Sequence, residues 1–183
     1  MINPLIEEMF FDNRETLIIN SDDVAVLRDY DNLYHAMIML SNSFTTLPVL
    51  DGNGFVLGKI HLGDILNASI VNHKYELERL LDLKIRDILN QENFKQRVSA
   101  LTADASLEDI LSALSHANFA CVVDEKKRMV GIITRKEVMS RINRVFHNLG
   151  DEYYITSKSL QFSDMFTNED IDLDKFYDRF TKK

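Results

Sequence analysis

The chain has no tryptophan, a single cysteine and only two prolines in 183 residues. Cys121 stands alone, so no intrachain disulfide framework can exist, and a reducing, cytoplasmic setting is expected. Positive charge is also scarce. The 21 Lys and Arg residues face 29 Asp and Glu, a formal net charge of -8 at pH 7. Nucleic acid and membrane surfaces both call for a basic face, so neither is an expected partner, and any bound anion must be met by a local cluster. No segment reaches the roughly 18 consecutive apolar residues of a membrane-spanning helix. The opening stretch MINPLIEEMFFDNRE carries acids where a signal peptide would have a basic region followed by an apolar run. No His, Cys or carboxylate cluster has metal-ligand spacing, and no Ser-His-Asp set, Walker loop or GxGxxG occurs. A metal site and a catalytic role are therefore not expected. What is present is ordinary for a soluble protein: 45% hydrophobic and 27% charged residues, enough for one domain or two small modules sharing a core.

The informative feature is an internal repeat. VAVLRDYDNLYHAMIMLS, from Val24, aligns with VSALTADASLEDILSALS, from Val98, at an offset of 74. Val24, Leu27, Leu33, Leu40 and Ser41 then fall on Val98, Leu101, Leu107, Leu114 and Ser115. After one indel the offset becomes 73, and Val49, Asp51, Gly58, Ile60 and Asp64 fall on Val122, Asp124, Gly131, Ile133 and Glu137. Each copy reads as a short extended run, a helix, two strands around a tight turn, and a second helix. The first helix follows from apolar residues at Leu33, Ala36, Met37 and Leu40, and again at Leu107, Ile110, Leu111 and Leu114. TLPVL and FACVV suit buried strands, with DGNG and DEKKR as their turns. KYELERLLDLKIRDIL predicts a helical connector. A β-α-β-β-α unit this small cannot cover its sheet alone, so the two copies should pack face to face in one α/β, pseudo-twofold domain. The expected boundaries are an N-terminal helical segment 1–15, repeat one 16–72, the connector 73–90, repeat two 91–148 and an acidic extension 149–183. That extension carries Ile171, Leu173, Phe176, Tyr177 and Phe180 at mixed helical spacing, and a helix docking on the protein's own dimer is expected there, with partner binding as the alternative.

In GIITRKEV, Arg135 and Lys136 open a helix whose N-terminus already carries partial positive charge, an arrangement that favours an anion nearby. Repeat one has His61, Leu62 and Gly63 where repeat two has Thr134, Arg135 and Lys136, so the two halves are chemically unequal. A solvated surface pair is the plain alternative; a phosphate contact is the reading favoured by position, with Arg141 and Arg144 adding positive potential along the same helix. Thr134-x-x-Glu137 has the form of a capping box, and Glu137 could equally accept hydrogen bonds from ribose hydroxyls. His61 reads as a hydrogen-bonded strand-end side chain, Cys121 as a small apolar packer in the slot of Pro48, and Phe119 as core filling or a surface for a base.

The pattern of apolar-Pro-Val strand, turn, Gly-apolar-apolar-Thr and an acid three residues on resembles a tandem pair of CBS domains, over roughly residues 16–148. DDVAVLRDYDNLYHAMIMLSNSFTTLPVLD and NFACVVDEKKRMVGIITRKEV are similar to the stand-alone cyclic di-AMP-binding CbpB or DarB subfamily of Gram-positive bacteria. The resemblance implies a regulatory protein, not an enzyme, dimerising as a flat disc and binding cyclic di-AMP between its repeats. The alternative is a sensor of AMP, ADP or ATP, and no further cofactor is implied. It assigns phosphate contacts to Arg135 and Lys136, a ribose contact to Glu137 beside Thr134, and the adenine side to Ala25, Thr45, Thr46 and Leu47, with Val24, Pro48, Phe119 and Cys121 nearby. Asp23 departs from the pattern, since relatives can carry a Lys there. Implied protein targets are a stringent-response synthetase or a metabolic carboxylase, engaged by the nucleotide-free form.

Overall fold

A computed structural model describes residues 2–12, 14–71, 74–89 and 100–152. The first element is α1 (Pro4–Phe10), where the Asn3 side chain accepts from Leu5 N and Pro4 occupies a position whose N–H would have no helical partner. A short turn, Arg14–Leu17, leads to β1 (Ile19–Asn20) and a second turn at Ser21–Asp23. Repeat one then runs β2 (Leu27–Arg28), α2 (Leu33–Asn42), β3 (Thr46–Leu50), β4 (Val56–His61) and α3 (Leu62–Ala68). A small hairpin, β5 (Ile70–Val71) and β6 (Lys74–Tyr75), precedes α4 (Arg79–Asp82) and α5 (Ile85–Leu89). Repeat two runs β7 (Ala100–Thr102), α6 (Leu107–Ser115), β8 (Phe119–Val123), β9 (Met129–Thr134) and α7 (Arg135–Glu152).

Both repeats have the expected β-α-β-β-α order, and their sheets match in detail. In each, the first strand lies parallel to the second and the second antiparallel to the third. Thr46 opposes His61 as Phe119 opposes Thr134, and the register slips at Val49/Leu50 as it does at Val122/Val123. The repeat thus extends to the position of an irregularity, which bends a strand and is a built feature of a sheet. The helices start on side-chain caps: Asn32 accepts from His35 N, and Ser106 accepts from Asp109 N. Leu33, Ala36 and Leu40 are buried on α2, and Leu107, Ile110 and Leu114 on α6. Leu111 is exposed, so the buried stripe of α6 is narrower than the sequence predicts. The two hairpins touch through a bridge between Phe55 and Arg128, with Met129 N donating to Gly54 O at 3.0 Å.

Two features differ from the sequence expectation. Residues 74–89 are not one helix. The helix breaks at Leu83, whose carbonyl accepts from Leu33 N at 2.9 Å, and Ile85 N and Arg86 N donate to Asp31 O and Asp29 O, each at 2.9 Å. These long-range backbone bonds, with Leu80, Ile85 and Ile88 filling the core of repeat one, outweigh helix propensity. The second feature is the N-terminal segment. β1 joins the sheet of repeat two, Ile19 and Asn20 pairing antiparallel with Ile132 and Gly131. Gly131 permits this approach, because a Cβ there would sit 2.2 Å from Ile19 O. Glu7 accepts from Leu107 N, and Arg14 lies over the Phe11 ring at 4.0 Å while donating to Ala103 O and Ala105 O. Both repeats and this arm lie in one compact unit, Met1–Val145. The acidic extension expected to form a docking helix lies, beyond Glu152, outside the described residues.

Candidate functional site

A cleft of about 720 Å³ lies between the repeats. Repeat one contributes Thr46, Lys59 and His61 from its central hairpin. Repeat two contributes β7, the inner side of α6 through Asp109, Ser112 and Ala113, and the turn His116–Phe119. Thr46 Oγ1 and His61 Nδ1 share a hydrogen bond of 2.7 Å, which fixes the imidazole at the end of β4. Lys59 is 5% exposed, donates to Phe119 O at 2.5 Å, and holds its ammonium 4.7 Å from the Phe119 ring centroid. Burial pushes the Lys59 pKa down, with neighbouring Cys121 acting weakly in the other sense. Burial likewise pushes the Cys121 thiol up to about 11, against a smaller opposing influence of Lys59. The thiol is therefore neutral and inert at ordinary pH.

Four of the residues singled out by sequence, Thr134, Arg135, Lys136 and Glu137, lie together where β9 passes into α7. Thr134 ends β9, and its Oγ1 accepts from Glu137 N at 3.2 Å, which is half of a capping box. The other half is absent: the Glu137 carboxylate instead accepts from Arg141 Nε at 3.2 Å. Arg141 is not a solvated source of positive potential. It is 2% exposed and donates to Phe10 O, Asp12 O and Thr16 Oγ1, tying the N-terminal arm to α7. Arg135 N donates to Asn118 O at 2.8 Å, and its guanidinium reaches Leu114 O at 2.8 Å and Ser115 O at 3.5 Å. That places a cation on the carbonyl end of α6, where the helix dipole favours it. Lys136 is exposed beside it.

The remaining predicted residues divide between the two regions. Thr46 and Phe119 line the Lys59 cleft. Thr45 Oγ1 accepts from Asn118 Nδ2 at 3.4 Å, a link from one repeat to the other. Asp23 is exposed, in a turn that packs on β9, and Val24 and Ala25 follow it half-buried. Leu47, Pro48 and Cys121 are buried strand residues. Lys59 is the residue that sequence reasoning passed over. The signal was available, since the repeat alignment sets this lysine in a buried strand against Ile132. Among the described residues, no group of three or more His, Cys, Asp or Glu could hold a metal ion, and no helix is long and apolar enough to cross a membrane.

Residues 17–71 and 85–144 each match the CBS domain, together covering more than half of the chain. The chain belongs to the CBS-domain family. It is homologous to Cyclic di-AMP receptor B of Bacillus subtilis strain 168, with 24% identity over 133 residues, 72% of this chain and 87% of that protein. Among solved structures, CbpB of Streptococcus agalactiae matches with 26% identity and a TM-score of 0.70, over 86% of this chain and 96% of that one. CbpB of Listeria monocytogenes, solved in complex with c-di-AMP, matches with 29% identity and a TM-score of 0.64, over 74% and 98%. The CBS pair and the kinship with cyclic di-AMP receptors are thus established independently of the repeat alignment.

Proposed function

We propose that this protein is a regulatory receptor for cyclic di-AMP, bound between its CBS repeats. The observation that carries the reading is the match, over nearly the whole length of that relative, to a CbpB structure containing c-di-AMP. Arg135 and Lys136 are the phosphate-contacting cations in this reading, and Glu137 meets a ribose. Thr45, Val24 and Ala25 belong to the adenine side, and Asp23 borders it. The hydrogen bonds these side chains already make set the terms of binding. Arg135 must exchange the carbonyls of Leu114 and Ser115 for phosphate oxygens, and Glu137 must share its carboxylate with Arg141. Charge-assisted bonds to phosphate are stronger than those to neutral carbonyls, so the exchange favours the ligand.

That exchange also provides an output. Releasing the end of α6 changes the turn at 116–118 and the start of α7 together, and a ligand that favours one state shifts the affinity for a partner by the same factor. The protein therefore acts in the cytoplasm, as a homodimer, by controlling access to a protein target. Isothermal titration with cyclic di-AMP, AMP and ATP tests the reading. Cyclic di-AMP should bind at one molecule per chain and more tightly than either mononucleotide; a preference for AMP or ATP would replace it with a mononucleotide sensor. A pull-down from lysate with and without cyclic di-AMP tests the output, and identical retained proteins in both lanes would contradict it.

A further inference from the structure

The arm ahead of repeat one is fastened to three elements of repeat two. Glu7 accepts from Leu107 N at the start of α6, where a helix N-terminus favours a carboxylate. Arg14 donates to Ala103 O and Ala105 O in the turn that leads into the same helix. β1 pairs with β9 through Ile19 and Asn20. On α7, Arg141 Nη1 donates to Phe10 O at 3.1 Å and Asp12 O at 3.0 Å, and its Nη2 donates to Thr16 Oγ1 at 2.6 Å. The same guanidinium turns its Nε to Glu137 Oε1 at 3.2 Å. The Arg141 side chain is 2% exposed and that of Glu137 39%, so one buried group joins the arm to a carboxylate that opens on solvent. A buried cation needs its countercharge, and the pairing in turn restricts the rotamers open to Glu137. Repeat one has no such relay. It carries Ala68 at the position of Arg141 and Asp64 at that of Glu137, and the Asp64 carboxylate accepts from His61 N at 2.8 Å, on its own helix start.

We infer that Arg141 is a positioning residue that couples the N-terminal arm to Glu137: a seated arm holds the carboxylate ready for a ribose, and a ligand on Glu137 holds the arm down. The ligand in this coupling is the cyclic di-AMP of the proposed reading, on which that half rests, whereas the link from Glu137 to the arm stands on the hydrogen bonds alone. By linkage, whatever the seated arm adds to ligand affinity, the ligand adds to the seating of the arm. The arm is built to respond. Its buried apolar anchors are Phe10 and Leu17, and α1 has seven residues and β1 two, too few to hold without the cross-contacts.

The test combines amide hydrogen exchange with calorimetry on the full chain, using cyclic di-AMP as the probe. Without ligand, Glu137→Ala should speed exchange in α1 and β1 by about fivefold or more, while the amides of β3 in repeat one keep their wild-type rates. With cyclic di-AMP, exchange in the wild-type arm should slow. Arg14→Met loosens the arm without touching Arg141 or Glu137, and should weaken cyclic di-AMP by about fivefold or more; Arg14→Lys, which keeps a cation for the same carbonyls, should restore most of that affinity. Unchanged arm exchange in Glu137→Ala, or faster exchange spread equally into β3, would overturn the coupling, and this arm of the test stands even if Arg14→Met fails to fold. Undiminished affinity in folded Arg14→Met would overturn it as well. A wild-type protein that ignores cyclic di-AMP, with an arm that Glu137→Ala still loosens, would refute the receptor reading while upholding the link from Glu137 to the arm.

Discussion

The two repeats share one backbone and differ in where each keeps its charge. Repeat one buries a lysine in its central hairpin and ends its last strand on a histidine tied to Thr46. Repeat two puts an isoleucine at the lysine position and places its cations one turn later, with Arg135 on the carbonyl end of α6 and Arg141 buried under the N-terminal arm. The position equivalent to Arg141 in repeat one is Ala68. Duplication thus conserved the sheet register, down to the irregularity in each hairpin, while the side chains at the clefts diverged. The shared fold therefore carries two chemically unequal halves.

The sharpest way to break this asymmetry is Arg141→Met. Its guanidinium satisfies two backbone carbonyls and a threonine hydroxyl, all from the segment Phe10–Thr16 ahead of β1. Losing several charge-assisted bonds to buried and partly buried acceptors should cost about 2–4 kcal/mol of folding stability. Urea denaturation checks this, and a loss confined to a few tenths would mean that the arm holds without it. Next in size is a pair of glycine substitutions at equivalent positions. Gly131→Ala forces a methyl group into Ile19 O and the Ile18 side chain, and should cost about 1–3 kcal/mol. At Gly58 the nearest atom to an added Cβ is Leu89 Cδ2 at 3.5 Å, an ordinary contact, so Gly58→Ala should change the melting curve little. Equal effects would show that β1 does not hold its place on β9.

The smallest expected effect lies in the turns. Gly54 has φ +88°, and its counterpart Lys127 takes φ +63°, a conformation that side chains other than glycine and asparagine rarely adopt. Lys127→Gly should therefore gain roughly 0.5 kcal/mol, the relief of the left-handed backbone less glycine's entropy in the unfolded chain. A loss of stability would show that the Lys127 side chain makes a compensating contact.

The sequence carried the architecture unusually far, because a repeat supplies its own control. Leu33 against Leu107 and Asp51 against Asp124 place elements twice, and an error in one copy would be exposed by the other. The connector is helical, as its pattern predicts, but in two short pieces; what divides them is a backbone bond from Leu33 N to Leu83 O, which no local signal announces. β1 was missed for a related reason. Two residues, Ile19 and Asn20, make too short a strand to read from periodicity, and they pair with a strand more than a hundred positions away. At the candidate site, Arg135 and Lys136 were noticed because two charges at a helix start are conspicuous. Lys59 was not, since only packing distinguishes a buried lysine from a solvated one. Arg141, read from sequence only as added positive potential, is likewise distinguished by packing alone.

The central claim is a cyclic di-AMP receptor whose phosphate contacts come from repeat two. Titrating cyclic di-AMP into the wild-type, Arg135→Ala and Lys59→Met proteins by calorimetry tests it most directly. The account predicts one molecule per wild-type chain and a loss of about 1.5–3 kcal/mol in Arg135→Ala, the usual range for a hydrogen bond to a charged group. Affinity in Lys59→Met should match the wild type. Undiminished binding by Arg135→Ala, or a wild-type protein that does not bind cyclic di-AMP at all, would contradict it.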